Sequence, residues 1–399
     1  MRTQLRRRIL GTALTLGLAV PAAAQQDMSA EVPSRTPGWT VTPGVTFGAI
    51  YDSNVALASA PADTKRTQSD RLLLAEPFGQ LEYFSRRTEF SSGYQGYLRR
   101  YADVTQLNSF DQRGYLSLRR LATRRLTFFL HETYAKVPTT DEVELNGVPF
   151  SRTGSKMNAI AAGFDARVTK YTDVSFRYEN TWVAFDRPES FLTGGFVNGG
   201  RAELSRRLND RLSVGAEYGA RVADLNEGTH QVTFQDTGGI LHYGLGSRTT
   251  LSLAGGWAFL NDKLLNDRRN GAYVRGEITH DAQRATVGAS FERMFVPSFG
   301  FGGSNQSDQI RGFVRMPFDR RRLYFQGSAA WRRSNPLIAT ELELDTIWIR
   351  STLGYSASRW LRFEGFHAFT RQDSKMTGGE INRQRAGVQV VVSQPMRIH

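Results

Sequence analysis

Arginine is the residue whose repetition in this chain could do chemistry. Arg99, Arg113, Arg119, Arg167, Arg177, Arg201, Arg221, Arg275, Arg311, Arg315, Arg322, Arg332, Arg350, Arg362 and Arg385 sit in stretches where polar and apolar residues alternate, on the polar phase. A guanidinium is a planar fork of donors that matches carboxylate or phosphate oxygens and stays charged at any physiological pH. Acidic residues on the same phase are fewer: Glu82, Glu89, Asp165, Asp173, Glu179, Glu203, Glu217, Glu277, Glu292 and Glu364. Some of the arginines are expected to pair with these carboxylates and only stiffen the structure, and the excess leaves a surface that attracts anions. Covalent chemistry has no comparable signature. His131, His242 and His280 are scattered, no HExxH or GxSxG motif occurs, and the Gly300–Gly303 run lacks the strand–helix setting of a phosphate loop. No metal site or cofactor is expected. An enzyme reading would need a Ser or Asp beside His230 or His367, and nothing in the sequence demands it.

The elements that carry the arginines are β-strands. In Leu212–Val222 one phase is Leu212, Val214, Ala216, Tyr218, Ala220 and Val222, and the other is Ser213, Gly215, Glu217, Gly219 and Arg221. Val174–Trp182, Tyr273–Thr279 and Leu323–Trp331 show the same period of two. Successive strand side chains point to opposite faces, so each strand has one apolar and one charged side.

The breaks between these stretches fall into two alternating classes. One is short: Ser85–Arg87, Ala122–Arg124, Lys170–Thr172, Leu208–Asp210, Gly246–Arg248, Asp281–Gln283, Asp319–Arg321 and Ala357–Arg359. The other is generally longer and polar: Asp52–Asp70, Asp103–Asn108, Pro138–Ser155, Asp186–Leu192, Asn226–His230, Asn261–Asn270, Pro297–Asp308, Asn335–Leu344 and Gln372–Glu380. Eight short turns make eight hairpins. A strand near 39–50 precedes them and one near 382–393 follows, for about 18 strands. Short turns at one end and long loops at the other mark an all-β, antiparallel transmembrane barrel, with short periplasmic turns and longer extracellular loops.

Composition agrees. The 399 residues are 40% hydrophobic and 11% aromatic, which excludes a disordered chain. No apolar run of membrane-helix length occurs beyond the N-terminus. The chain has no cysteine, which excludes disulfides, thiol nucleophiles and cysteine-ligated metals. Its net charge of +13 suits nucleic acid or an anion pore. Residues 1–24 settle the choice: Arg2, Arg6, Arg7 and Arg8, an apolar stretch from Ile9 to Val20, and Pro21-Ala22-Ala23-Ala24 read as a signal peptide cleaved before Gln25. An exported chain is not expected to meet nucleic acid. Residues 25–38 read as a periplasmic leader, and 39–399 as the barrel in a bacterial outer membrane.

An 18-stranded barrel is too wide to be filled by its own side chains. Function is therefore expected from the inward phase, which carries the arginines and also Tyr97, Tyr115, Tyr273, Tyr324 and Phe366. Pro138–Ser155 or Asp52–Asp70 is the expected constriction. Lipid is expected against the apolar phase, with Tyr83, Trp182, Trp257 and Trp331 in its interfacial girdles.

Two segments carry a resemblance. Gly44–Val55, with Tyr51-Asp52-Ser53-Asn54-Val55, looks like the opening of the β-barrel porin 2 family of bacterial outer-membrane proteins, and Val390–Ile398 looks like its ending. Arg385, Gly387, Val390 and Val392 resemble the closing-strand signal read by the barrel-assembly machinery, with Val in place of the usual aromatics. The resemblance implies an exit pore for an anionic exopolysaccharide, similar to the alginate-export barrels, working with a periplasmic polysaccharide-export protein. The alternative is a passive diffusion porin for small anionic solutes.

Overall fold

The computed structural model describes residues 37–55, 57, 68–138, 153–186, 192–226, 228–299, 303–318, 322–337, 343–374 and 379–398. The expected signal peptide and nearly all of the leader lie outside the described residues, as do most of 52–70 and 138–155.

Nineteen strands form one sheet. They are β1 Gly38–Asp52, β2 Asp70–Phe84, β3 Thr88–Tyr101, β4 Ser109–Thr123, β5 Leu126–Pro138, β6 Gly154–Arg167, β7 Thr172–Phe185, β8 Gly195–Arg207, β9 Leu212–Leu225, β10 His230–Gly244, β11 Thr249–Asp262, β12 Asp267–Asp281, β13 Thr286–Pro297, β14 Ser304–Pro317, β15 Leu323–Pro336, β16 Leu344–Ser356, β17 Leu361–Ser374, β18 Gly379–Ser393 and the short β19 Met396–Ile398. Each of the first seventeen pairs antiparallel with the next, and β1 pairs with β18 from Gly44↔Ser393 to Asp52↔Arg385. The ladder therefore closes on itself as an 18-stranded barrel with no free edge at the seam. β19 extends the seam by pairing with Trp39–Val41.

Four of the short turns stand where the sequence places them with a side-chain oxygen as cap. Ser85, Thr169, Asn209 and Ser358 each accept backbone N–H groups from the residues two and three places on. The wall strands run 12 to 15 residues, longer than the roughly 9–11 that cross a bilayer.

One part of the wall departs from a plain barrel. β12 follows β11 to Asp262↔Asp267, but its pairing with β13 stops at Val274↔Arg293. β13 keeps β14 as its partner to Pro297↔Ser304. The long-loop end of the β13–β14 hairpin thus leaves β12 and leans across the bore. Phe295 and Phe299 join there a buried apolar cluster with Met157, Val183, Val197, Leu225, Val232, Phe234, Leu260 and Tyr273, which are inward residues of β6 to β12. This hairpin is an infolded segment among the described residues; the expected constriction at 138–155 or 52–70 falls mostly outside them. Met294, Phe295 and Val296 are all buried, so both faces of the strand are covered and strict alternation ends there.

Candidate channel lumen

Register fixes which side chains face inward. Phe47, Leu73, Tyr94 and Phe110 are exposed on one phase. On the opposite phase of the same strands, Thr46, Leu74, Glu76, Gln95, Tyr97, Arg99 and Arg113 border a common internal cavity. Carried around the ladder, this parity places every arginine singled out above on the inward phase of its strand, or, for Arg322, just before its first residue.

These arginines fall into three groups. At the short-turn mouth Arg119, Arg167, Arg315 and Arg322 are exposed, with Arg167 3.2 Å from Asp173. Arg177, over the Phe129 ring and 3.7 Å from Glu179, lies further in.

The second group lies on β8 to β15, around the infolded hairpin. Arg275 donates to both oxygens of Glu217 at 2.6 and 2.5 Å, and the Tyr273 hydroxyl donates to the same carboxylate at 2.8 Å. Arg201 bridges Glu217 at 3.2 Å and Asp236 at 2.8 Å. Arg221 donates to the Phe295 carbonyl at 3.1 Å and lies over the Phe234 ring. Arg332 is buried over Trp348, and Arg311 donates to Gln309. Arg221 therefore ties the hairpin to the wall, and Arg275 ties β12 to β9.

The third group spans the barrel seam. Arg99, Arg113, Arg350, Arg362, Arg383 and Arg385 line one cavity with Glu76, Glu364, Tyr97 and Phe366. Arg99 and Arg113 flank the Tyr97 ring, each 5.8 Å from its centroid, and Arg350 lies 5.5 Å over Phe366. The rings orient the guanidiniums without neutralising them. Arg99 pairs with Asp111 at 3.0 Å, Arg362 with Glu364 at 2.7 Å and Arg383 with Asp52 at 2.5 Å. Among the described residues six arginines stand against two glutamates in the lining, and against four carboxylates once Asp52 and Asp111 are included, so the balance of these is positive.

Sequence reasoning missed Arg383, Asp52, Glu76, Asp111 and Asp236 as inward-facing residues. Their signal was available: each lies on the inward phase of its strand. Asp52 also forms an Asx turn, accepting the Asn54 N–H at 3.1 Å. Gly387 lies on the inward phase, where a Cβ would come within 2.8 Å of the Phe366 ring and the Ala49 carbonyl. Arg385 shares its phase, and Val390 and Val392 face outward.

His230 and Asp262 meet at 2.8 Å and both are buried. The other Asp262 oxygen accepts the Leu264 and Leu265 N–H groups, so the pair ties down the β11–β12 turn. His367 lies on the outward phase of β17. Among the described residues no cluster of metal-ligating side chains occurs.

The outer face completes the picture. Phe47, Leu73, Phe176, Trp182, Leu253, Trp257, Ile349, Leu353 and Val388 are all exposed there. At the short-turn end Trp39 packs on Tyr83 and Phe90 with centroids 4.8 and 5.8 Å away. A closed ladder satisfies its backbone internally, and this apolar coat is what hydrocarbon requires. The chain is a transmembrane barrel of the bacterial outer membrane.

No family model matches the chain, and no curated protein matches it. Solved structures similar to it include Pseudomonas aeruginosa OpdQ, at 11% identity over 90% of this chain and 98% of that one, with a TM-score of 0.45. Acinetobacter baumannii OccAB4 is 9% identical over 91% and 100%, with a TM-score of 0.48. Pseudomonas aeruginosa OpdK, solved with vanillate, is 10% identical over 89% and 99%, with a TM-score of 0.44. The barrel assignment rests on the chain's own closed ladder.

Proposed function

We propose that the protein is a passive outer-membrane channel for small anionic solutes. The observation that carries this reading is the β13–β14 hairpin lying across the bore, held by the hydrogen bond from Arg221 to the Phe295 carbonyl. An infolded hairpin narrows the path and favours small solutes over the polysaccharide exit, and the export partner, that the resemblance implies. Charge sets the sign. The cavity lined by Arg99, Arg113, Arg350, Arg362, Arg383 and Arg385 has more guanidiniums than carboxylates, so it draws anions in and repels cations. Passage needs many weak sites rather than one strong one, and the nearby Glu76 and Glu364 keep each arginine from holding an anion too long. No bond is made or broken in this reading.

The test is ion selectivity in a planar bilayer. The wild type is expected to pass anions preferentially, and Arg113→Gln with Arg350→Gln to lower the anion-to-cation permeability ratio severalfold. An unchanged ratio in the double variant would remove the cavity arginines from the account.

A further inference from the structure

The lipid-facing side of the wall carries a row of polar residues where hydrocarbon should lie. Glu132 is on the outward phase of β5, six residues from either end of the strand Leu126–Pro138. It pairs across to Ile160 on β6, Ile160 to Asn180 on β7, and Asn180 to Asn198 on β8. Asn158, one outward position above Ile160, donates to Glu132 at 3.1 Å. Asn180 donates to the Asn198 Oδ1 at 2.7 Å, and the Tyr178 hydroxyl donates to the same atom at 2.9 Å.

The row lies inside the hydrophobic belt. On these strands Trp182 and Phe196 are exposed on its long-loop side, and Phe128, Phe176 and Leu204 on its short-turn side. On the far wall, outward positions between the rims include Ile349, Leu353 and Val388, with the pair Ser351 and His367 beside them and no carboxylate among the described residues. Polar side chains directed at lipid are costly, most of all a carboxylate at mid-wall.

The bonds within the row leave a defined remainder. Asn198 Oδ1 already takes two donors, while the Asn198 amide NH2 and the Asn180 carbonyl oxygen make no hydrogen bond among the described residues. A donor and an acceptor therefore remain on paired outward positions of two neighbouring strands. That couple is its own complement: a copy turned by a two-fold axis along the membrane normal presents its acceptor to this donor and its donor to this acceptor. Both copies keep the same insertion, so the two rows meet at the same depth.

We propose that the outer face of β5 to β8 is the contact surface between two copies of this chain, paired through Asn180 and Asn198. The dimer takes the polar row out of lipid and leaves each bore independent. This inference does not depend on what the channel carries.

The chain has no cysteine, which permits a clean test in isolated outer membranes. Asn198→Cys oxidised with copper phenanthroline is expected to give a disulfide-linked dimer, whereas Val388→Cys on β18 stays monomeric. In parallel, native mass spectrometry of the wild type in mild detergent is expected to show a dimer. Asn180→Leu with Asn198→Leu is expected to reduce the dimer fraction at least tenfold while the folded, heat-modifiable band is retained. A monomeric wild type overturns the proposal. So does cross-linking of Asn198→Cys no greater than that of Val388→Cys, or cross-linking only to a different protein.

Discussion

Arg221 on β9 donates to the main-chain carbonyl of Phe295 on β13 at 3.1 Å, with β10, β11 and β12 between them in the wall. Four strand spacings are roughly 19 Å along a sheet, so a single side chain reaches that carbonyl only because β13 has left the wall. The bond thus marks where the barrel stops being a plain cylinder. Arg221 also lies 3.9 Å from Asp236 and stacks on Phe234, so the anchor is itself held on two sides.

Releasing that anchor should widen the path. Arg221→Ala is expected to raise single-channel conductance and current noise, because the hairpin keeps its β14 ladder but loses its tie to β9. Phe295→Ala acts on the same element by removing a buried aromatic, at about 3–5 kcal/mol. It is expected to increase amide exchange in Met294–Phe299 while leaving β1–β5 protected. Unchanged conductance in both variants would mean that the hairpin does not limit flow.

The seam offers a stability test. Asp52 on β1 and Arg383 on β18 form a bidentate pair, and both are buried. Removing one partner strands a buried charge, at a cost of about 3–5 kcal/mol. Asp52→Ala is expected to lower the temperature at which the folded band converts to the unfolded band. Asp52→Asn with Arg383→Gln should recover part of the loss, which a purely steric role for Asp52 would not allow.

Asp70 holds the connection between β3 and β4. Its carboxylate accepts N–H groups from Arg71 at 2.6 Å, Asp103 at 3.1 Å and Val104 at 2.9 Å. Asp70→Ala is expected to speed amide exchange at Asp103 and Val104 by tenfold or more, with little effect on the short turns at the opposite end.

Gly387 tests barrel closure. A side chain there meets the Phe366 ring and the Ala49 carbonyl across both neighbouring strands. Gly387→Leu is expected to reduce the yield of folded barrel severalfold, whereas Gly365→Ala, with open space around it, should assemble normally. Equal yields would remove the steric reason given for that glycine.

Much of the fold was legible because alternation is a strong local signal. The inward phase of Arg99, Arg221 and Arg350 follows from counting by twos, and the number of strands from counting short turns. What was not legible is which strands face each other across the bore. The Arg383–Asp52 and Arg275–Glu217 pairs join residues far apart in sequence, and no local pattern selects them. The infolded hairpin left one trace. Met294-Phe295-Val296 is a continuous apolar run in a chain of alternating strands, the mark of a segment buried on both faces. The outward polar row was equally visible as Glu132 and Asn180 on an apolar phase, but only register shows that they adjoin.

The most direct test of the central claim is the reversal potential of single wild-type channels under a steep potassium chloride gradient. The account predicts a low-conductance channel whose reversal potential lies on the chloride side. A reversal potential at zero or on the potassium side would contradict it, because the surplus of lumen arginines would then have no hold on the ions that pass.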